Sequence, residues 1–313
     1  MTSAAKLKKC AQALLEPAAE KDERAQIAEM KFSVDYLSVF GYLAKYAIDN
    51  VDIDDIKKAV KTFQGWFGLK RDGIVGPKTL KAMEAPRCGC PDIVQAENPE
   101  HEGYVQFMKV AEANLTQWRK KGLKYYINSY VRGLSQSEQQ GVIAGAWRAW
   151  DTVCGISVER TTSSSNADLI MDTGEGRRSN FDGPGGTLAW AYLPSGNDRQ
   201  LLMRFDLGET WITDPRQRGI LLFNVACHEF GHMLGLDHSR KQGALMAPYY
   251  NPNIAKPQWD DDIPRVQARY GPETAPPPPD PDPGGGGNNG GGDVYTLRCR
   301  DLQVEGYTLF ANG

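Results

Sequence analysis

Three of the four histidines in this 313-residue chain lie within one short stretch, and this clustering limits what the chain can fold into. The stretch reads His-Glu-Phe-Gly-His-Met-Leu-Gly-Leu-Asp-His and runs from His228 to His238. On an α-helix, His228 and His232 leave the same face about one turn apart, so both imidazoles can bind one metal ion. We therefore expect a helix that carries a catalytic zinc site.

A catalytic zinc ion needs three protein ligands and an open position for water. Gly235 lies after the two helical histidines, and glycine tolerates the left-handed conformation in which helices end. The chain can therefore turn back there and bring His238 to the same ion as His228 and His232. Glu229 is not needed as a ligand, and its place beside the open position suits a general base that takes a proton from water. A buried helix with structural histidines is the alternative, and the longer pattern favours zinc.

The histidine pattern followed by Ala-Leu-Met-Ala-Pro at residues 244–248 resembles the metzincin metallopeptidases, and more narrowly the matrixins. The resemblance implies an α+β fold, in which a helical propeptide bundle precedes a catalytic domain with a twisted mixed sheet and zinc on the active-site helix. It implies that Met246 forms a tight turn beneath the zinc ion. It also implies that Pro248 and Tyr250 line the S1′ pocket, with a preference for hydrophobic side chains just after the cut bond.

A second motif, Pro-Arg-Cys-Gly-Cys-Pro-Asp at residues 86–92, resembles the cysteine switch of matrixins. A thiolate is a better zinc ligand than water, so Cys88 in the fourth position would displace the nucleophile and hold the enzyme latent. The resemblance implies that Arg87 and Asp92 form an ion pair that fixes this loop. Cys90 departs from the family pattern, and either sulfur could then reach the zinc ion, although the motif assigns the role to Cys88. A turn or disulfide unrelated to zinc is the alternative.

The N-terminal part of the chain is predicted to be helical. Residues 1–32 are charged and rich in alanine and form a leader, and the apolar spacing that follows predicts a small helical bundle. The segment 59–80 resembles the peptidoglycan-binding-like fold of matrixin propeptides, so we assign residues 33–92 to a propeptide that carries the switch. The same fold can bind glycan, which leaves a cell-wall glycan-binding protein with an accessory zinc domain as the alternative function.

Residues 93–110 form a polar connector that we expect to be exposed and cleavable. Residues 111–271 are predicted to be the catalytic domain, because strand, helix, strand and strand patterns follow one another in the order of a matrixin. The zinc helix is predicted to begin at Asp214, which precedes a proline. Residues 272–292 predict a disordered linker rich in proline and glycine, and residues 293–313 form a short tail of unknown role.

The glycine-rich segment 181–192 resembles the matrixin loop that binds structural calcium and the strand that pairs with substrate. The resemblance implies that the backbone groups of Leu188 and Ala189 pair with an extended peptide. A solvated glycine-rich hairpin is the alternative. Carboxylate oxygens suit calcium. Those expected to bind it belong to Asp182, Asp206 and Glu209.

The second, structural zinc ion of the family uses three histidines and an aspartate. This chain has Trp190 and Arg204 at two of the histidine positions, and the third has no counterpart. We therefore predict one zinc ion per molecule.

Charge and cysteine content give little sign of other partners. The net charge of −3, without a long basic run, does not favour nucleic acid, and no stretch approaches the roughly 20 apolar residues of a membrane span. A protein or peptide substrate is the expected partner. The N-terminus lacks the apolar segment of a signal peptide, whereas the resemblance implies an extracellular location. The spacing of the six cysteines is not that of a disulfide framework, and Cys227 is predicted to be a buried free thiol.

Overall fold

The computed structural model describes residues 3–16, 22–43, 52–93 and 117–273. Nearly all of the connector predicted at 93–110 lies outside these residues, as do most of the linker predicted at 272–292 and the whole tail at 293–313. The described helices include none that is long and apolar enough to cross a membrane.

Four helices form a bundle in residues 3–16, 22–43 and 52–93, the described N-terminal part of the chain. They are α1 (Ser3–Leu14), α2 (Glu23–Val39), α3 (Ile53–Trp66) and α4 (Pro77–Met83). Helix α2 begins where Asp22 accepts a hydrogen bond from the Ala25 amide at 2.7 Å, as expected of an N-cap aspartate. The boundary predicted after residue 32 therefore falls inside α2. Because side chains of α1 share the apolar core of the bundle, the predicted leader and the bundle are one packed unit.

A six-stranded sheet follows, and its spatial order is β1-β5-β6-β4-β2-β3. The pairing of β5 with β6 is antiparallel and the other four pairings are parallel, so the predicted mixed sheet is confirmed. The edge strand β1 comes from the switch motif. The strands are β1 (Arg87–Cys88), β2 (Gly122–Ile127), β3 (Ser157–Arg160), β4 (Leu169–Gly174), β5 (Thr187–Ala191) and β6 (Leu201–Asp206).

Within residues 117–273, the described part of this second domain, there are three α-helices: α5 (Gln136–Asp151), α6 (Leu222–Met233) and α7 (Asp262–Tyr270). The start predicted for the zinc helix, now α6, is wrong. Asp214 instead closes a turn, since its carboxylate accepts from the Arg216 amide at 3.0 Å. The short strand β7 (Trp211–Ile212) precedes Asp214 and pairs in parallel with β8 (Ile220–Leu221), which ends directly before the helix.

Aromatic side chains fix α6 against its neighbours. The Trp147 ring stacks on Phe230 with ring centres 3.8 Å apart. The Trp150 indole donates to the Cys227 carbonyl at 2.8 Å, and the Trp118 indole donates to the Met233 carbonyl at 2.8 Å. Cys227 is a buried thiol outside any disulfide, as predicted, and it donates to the Ala146 carbonyl at 3.7 Å. Truncating a buried tryptophan costs about 3–5 kcal/mol, so this packing holds the histidine helix rigidly.

Candidate active site

The three predicted zinc ligands lie together. His228 Nδ1 donates to the Leu245 carbonyl at 2.7 Å, and His232 Nδ1 donates to the Leu236 carbonyl at 2.7 Å. His238 Nδ1 donates to Asp92 Oδ1 at 2.8 Å. Their ring centres are 4.8 to 5.3 Å apart. Because each Nδ1 is engaged with an acceptor, Nε2 is the nitrogen that each ring offers to a metal.

These residues fit a zinc ion. The Nε2 atoms of His228 and His238 are buried and have no hydrogen-bond partner, which is costly unless something else binds them. The three histidines and Cys88 have one ligand atom each within 4.8 Å of one another, compatible with donors placed about 2.0 to 2.3 Å from one ion. Burial lowers the pKa of all three rings, that of His228 to about 3, so they are neutral as ligands must be.

A glycine and a methionine shape the floor of the histidine cluster. Gly235 has a φ of +92°, so the left-handed turn predicted there is confirmed. A Cβ atom on Gly231 would lie 2.2 Å from the Met246 sulfur. Met246 therefore packs directly beneath the helix between the two helical histidines, the place that the resemblance implies.

Sequence reasoning missed the residue that holds the methionine turn. Asp262 is fully buried, and its carboxylate accepts from the Leu245 amide at 2.7 Å and the Met246 amide at 3.1 Å. The same turn carries the carbonyl that orients His228. Its only signal in the sequence was the acidic run at residues 260–262, which does not indicate a contact with the methionine turn.

Glu229 is fully buried beside the histidines. One carboxylate oxygen lies within 4.8 Å of the Cys88 sulfur and of a His232 ring nitrogen. Burial raises its pKa to about 8, and the Cys88 thiol offsets a smaller part of the shift. A carboxyl group with a pKa near neutrality can both accept and donate a proton under physiological conditions.

Cys88 reaches the histidine cluster from the propeptide. Its sulfur lies 3.4 Å from His232 Nε2, and the Cys90 amide donates to that sulfur at 3.3 Å. Of the two sulfurs, that of Cys88 is the one grouped with all three histidines. Burial and the neighbouring Cys90 and Glu229 raise the pKa of the Cys88 thiol. Coordination to zinc would oppose this effect, because it deprotonates a thiol.

The ion pair implied for the switch is present and buried. Arg87 Nη2 lies 2.6 Å from Asp92 Oδ1, and Arg87 Nη1 donates to Asp92 Oδ2 at 3.1 Å. The Tyr42 hydroxyl donates to Asp92 at 2.6 Å, and the guanidinium carbon lies 3.5 Å from the Phe40 ring centre. Burial alone would raise the pKa of Asp92, but Arg87 and His238 lower it to about 2. The Asp92 carboxylate therefore contacts the bundle through Tyr42, the switch motif through Arg87 and a predicted zinc ligand, His238.

Comparison with known protein families agrees with this geometry. Residues 117–271 match the family described as Matrixin, and residues 28–83 match a putative peptidoglycan binding domain. Residues 117–271 belong to the matrixin family. They are a zinc metalloendopeptidase domain.

Similar proteins come from several animals. The chain is 32% identical over 240 residues to a hatching enzyme of Paracentrotus lividus, which covers 75% of this chain and 38% of the relative. It is 36% identical over 230 residues to matrix metalloproteinase-18 of Xenopus laevis, covering 72% and 45%, and 35% identical over 227 residues to interstitial collagenase of Equus caballus, covering 71% and 44%. The chain thus spans less than half the length of these relatives.

The propeptide strand fills the groove expected for substrate. On one side, the Gly89 amide donates to the Ala189 carbonyl at 2.8 Å on β5 of the matrixin domain. On the other, the Cys88 amide donates to the Pro248 carbonyl at 2.9 Å, and the Tyr250 amide donates to the Pro86 carbonyl at 3.0 Å. Both walls that the matrixin resemblance assigns to substrate are therefore occupied by backbone pairing.

A small pocket opens beside Glu229. The Tyr250 hydroxyl accepts from the Leu221 amide at 3.0 Å, which fixes one wall. Asn224, which sequence reasoning missed, donates to the carbonyls of residues 251, 252 and 254 at 3.0 to 3.3 Å and holds the adjoining loop. A polar residue on the buried face of α6 was its only signal. Predicted residues that line the pocket are Leu188, His228, Glu229, Pro248 and Tyr250.

The three carboxylates expected to bind calcium contact the loop backbone. Asp182 accepts from the Thr187 amide at 2.8 Å, and Glu209 accepts from the Gly185 amide at 2.6 Å. Asp206 Oδ2 is buried without a hydrogen-bond partner. Burial, and secondarily the neighbouring carboxylates, raise the pKa of Asp206. In the described part of the chain their oxygens do not approach one another as closely as the ligand atoms of the zinc cluster.

The positions of the second matrixin zinc site hold a different cluster. Arg204 Nε donates to Asp172 Oδ2 at 3.1 Å, and its guanidinium carbon lies 5.7 Å from the Trp190 ring centre. The Trp190 indole donates to the Ser179 carbonyl at 2.9 Å. The groups at these positions therefore have partners within the protein.

Proposed function

We propose that this chain is the latent form of a zinc-dependent endopeptidase, in which Glu229 is the general base and Cys88 is the inhibitory ligand. The observation that carries the proposal is the meeting of three neutral imidazoles with one propeptide thiol in a group less than 4.8 Å across. His228, His232 and His238 would hold the ion. The buried carboxyl of Glu229 lies beside them.

A zinc ion at this site would polarise the substrate carbonyl and lower the pKa of a water molecule that it holds toward about 7. Glu229 accepts a proton from the attacking water as its oxygen adds to the carbonyl carbon. It then donates that proton to the amine nitrogen as the carbon–nitrogen bond breaks. The raised pKa of Glu229 suits both transfers, and the hydrogen bonds to Leu245 and Leu236 keep His228 and His232 oriented.

Latency follows from two obstacles that one segment provides. The Cys88 sulfur occupies the position that water needs, and the backbone around it pairs with β5 and with Pro248 as an extended substrate would. The ion pair of Arg87 with Asp92 holds the segment in this conformation. Cleavage in the connector would release it.

Substrate contacts would be made by the groups that the propeptide now covers. An extended peptide would pair with the backbone of Leu188 and Ala189, and a hydrophobic side chain after the cut bond would enter the pocket walled by Pro248 and Tyr250. Calcium bound by Asp182, Asp206 and Glu209 would stabilise the loop before β5. Since several relatives bear the name interstitial collagenase, we place the protein outside the cell, with protein substrates.

The test is hydrolysis of a quenched fluorescent peptide after limited proteolysis has removed the propeptide. Glu229→Ala should lower kcat/KM by about 10²- to 10⁴-fold while zinc content is unchanged. Glu159→Ala, which removes an exposed carboxylate, is the matched control and should retain full activity. Retention on peptidoglycan without any proteolysis would instead support a glycan-binding protein.

The cysteine is tested separately in the full-length chain. Cys88→Ala should cause spontaneous processing, since nothing then blocks the fourth position. Cys10→Ala removes another buried thiol of the bundle and should remain latent. A Cys88→Ala chain that stays intact and inactive, although it becomes active after limited proteolysis, would contradict the proposed role of the thiol.

A further inference from the structure

Cys90 has no role in the function proposed above, yet it lies against the inhibitory thiol. The sulfurs of Cys88 and Cys90 lie within 4.8 Å of each other, in one group with Glu229 and His232. The Cys90 amide donates to the Cys88 sulfur at 3.3 Å, and the Cys90 thiol donates to the Ala191 carbonyl at 3.3 Å. Both cysteines are buried and reduced.

We propose that Cys88 and Cys90 form a site of reversible oxidation. A hydroperoxide would join the two sulfurs in a disulfide, and the Cys88 sulfur would then leave the zinc position without cleavage of the chain. This inference rests on the function proposed above, because only a thiol that blocks the zinc position can be released in this way.

The geometry favours bond formation between these two sulfurs. They need to approach from less than 4.8 Å to the S–S bond length of about 2.05 Å, and the Cys90 thiol would give up its hydrogen bond to the Ala191 carbonyl. The residue between them is Gly89, which has no Cβ and so permits the backbone change that such a small ring requires. A disulfide in a small ring is strained, and strained disulfides are readily reduced again.

The reaction balances with one hydroperoxide as the two-electron oxidant. The Cys88 sulfur attacks the peroxide oxygen, the O–O bond breaks, and Cys88 becomes a sulfenic acid as one water, or an alcohol from an organic peroxide, departs. The Cys90 sulfur then attacks the Cys88 sulfur, the S–O bond breaks, and water leaves. The two thiol protons end in the released water or alcohol molecules, and each sulfur is oxidised by one electron.

The consequence follows from the chemistry of sulfur as a ligand. The thiolate is the metal-binding form, and neither sulfur of a disulfide is a thiolate. Oxidation would therefore detach the propeptide from the zinc position, although the Arg87–Asp92 ion pair and the backbone pairing with β5 remain available. Without the thiolate bond, those contacts alone hold the segment, so it should leave the groove part of the time and admit substrate. Oxidation does not alter the groups that make them, so reduction should restore the latent state as long as the chain is uncut.

The experiment exposes the zinc-loaded full-length chain to hydrogen peroxide and follows three quantities at short times. These are hydrolysis of a quenched fluorescent peptide, chain integrity on a gel, and the mass of the peptide that contains both cysteines. We expect activity in the uncut chain, a mass lower by about 2 Da, and loss of both changes after dithiothreitol. Cys90→Ser has no second thiol to trap the sulfenic acid of Cys88, so further peroxide should oxidise Cys88 to the sulfinic or sulfonic acid, with activation that dithiothreitol does not reverse. Cys10→Ser is the matched control and should behave like the unaltered chain.

Failure of this inference and failure of the proposed function give different results. Stable oxygen addition to Cys88 in the unaltered chain, without the mass loss, overturns the disulfide. Formation of the disulfide while the uncut chain stays latent overturns its role as a release. A chain that is inactive even after limited proteolysis overturns the peptidase function itself, and the mass measurement then still reports whether the disulfide forms.

Discussion

Two clusters of this molecule use the same three parts, an arginine, an aspartate and an aromatic ring, in different surroundings. In the switch motif of residues 86–92, Arg87 pairs with Asp92 beside Phe40, and the side chains of the pair are at most 2% exposed. In the sheet, Arg204 pairs with Asp172, and their side chains are 29% and 17% exposed. Both pairs are joined by hydrogen bonds at similar distances, so their surroundings decide how much each contributes.

The two ion pairs differ in which groups would lose their partner if the aspartate were removed. Loss of Asp92 would leave a buried guanidinium without its carboxylate and His238 without its hydrogen-bond acceptor. Loss of Asp172 would leave a guanidinium that water can reach. A buried ion pair is therefore a weak guide to net stability, but breaking one side of it is costly, whereas an exposed pair contributes about 0–1 kcal/mol.

The largest effect should come from Asp92→Asn. It should weaken docking of the propeptide by about 3–5 kcal/mol, because Arg87 remains buried and unpaired, and processing of the full-length chain should accelerate. Asp172→Asn is the matched control and should cost about 1 kcal/mol or less. The rate of loss of the uncut chain and urea unfolding measure the two quantities. Equal effects of both variants would show that burial does not distinguish the pairs.

Acid should weaken docking of the propeptide by protonating the carboxylate of Asp92. The pKa of Asp92 is about 2 in the folded chain and 3.8 when unperturbed, so its stabilisation is complete above pH 3.8 and is lost as the pH falls toward 2. The expected loss is about 2 kcal/mol. Unfolding free energies of the unaltered chain and of Asp92→Asn should converge over that range. A constant difference would mean that Asp92 titrates normally in the folded protein.

Conservative replacement of each arginine should sharpen the comparison. Arg87→Lys keeps the charge but loses the planar fork that binds Asp92 through two nitrogens, so we expect a loss of about 1–3 kcal/mol in propeptide docking. Arg204→Lys should change domain stability by less than about 1 kcal/mol. Thermal unfolding of both variants tests this, and a larger loss for the sheet arginine would reverse the ranking.

The smallest effect concerns the metal content of the sheet cluster. We expect one zinc ion per molecule in the unaltered chain and the same in Arg204→Ala, since the arginine occupies a position that binds zinc in the family. His232→Ala should lose that ion. Native mass spectrometry of the three proteins is the measurement, and a second zinc ion in the unaltered chain would show that the Trp190–Arg204 cluster has been misread.

Local patterns made the zinc cluster predictable. The spacing of His228, His232 and His238, with Gly235 between the last two, specifies a helix, a left-handed turn and a return within a few residues. Ser135 and Glu138 likewise form the capping box at the start of the predicted helix α5. In each case the interacting residues are close in sequence, so spacing alone encodes their contact.

Local patterns could not predict the residues that position the site through distant contacts. Asp262, Asn224 and Tyr42 act on partners 16 to 50 residues away, and none belongs to a recognisable spacing. The start of α6 was misplaced for a related reason. An Asp-Pro pair favours both a helix start and a turn, and the pairing of β7 with β8 decided between them.

The sequence by itself determined which atoms can bind the metal, because the donor groups and their helical spacing are properties of a short segment. Only the tertiary structure decided that a propeptide carboxylate, Asp92, would accept a hydrogen bond from His238 across 146 residues of chain and that two cysteine sulfurs would share one buried space. Such contacts depend on how separate units pack, and packing is fixed by the combined burial of many side chains rather than by any local pattern.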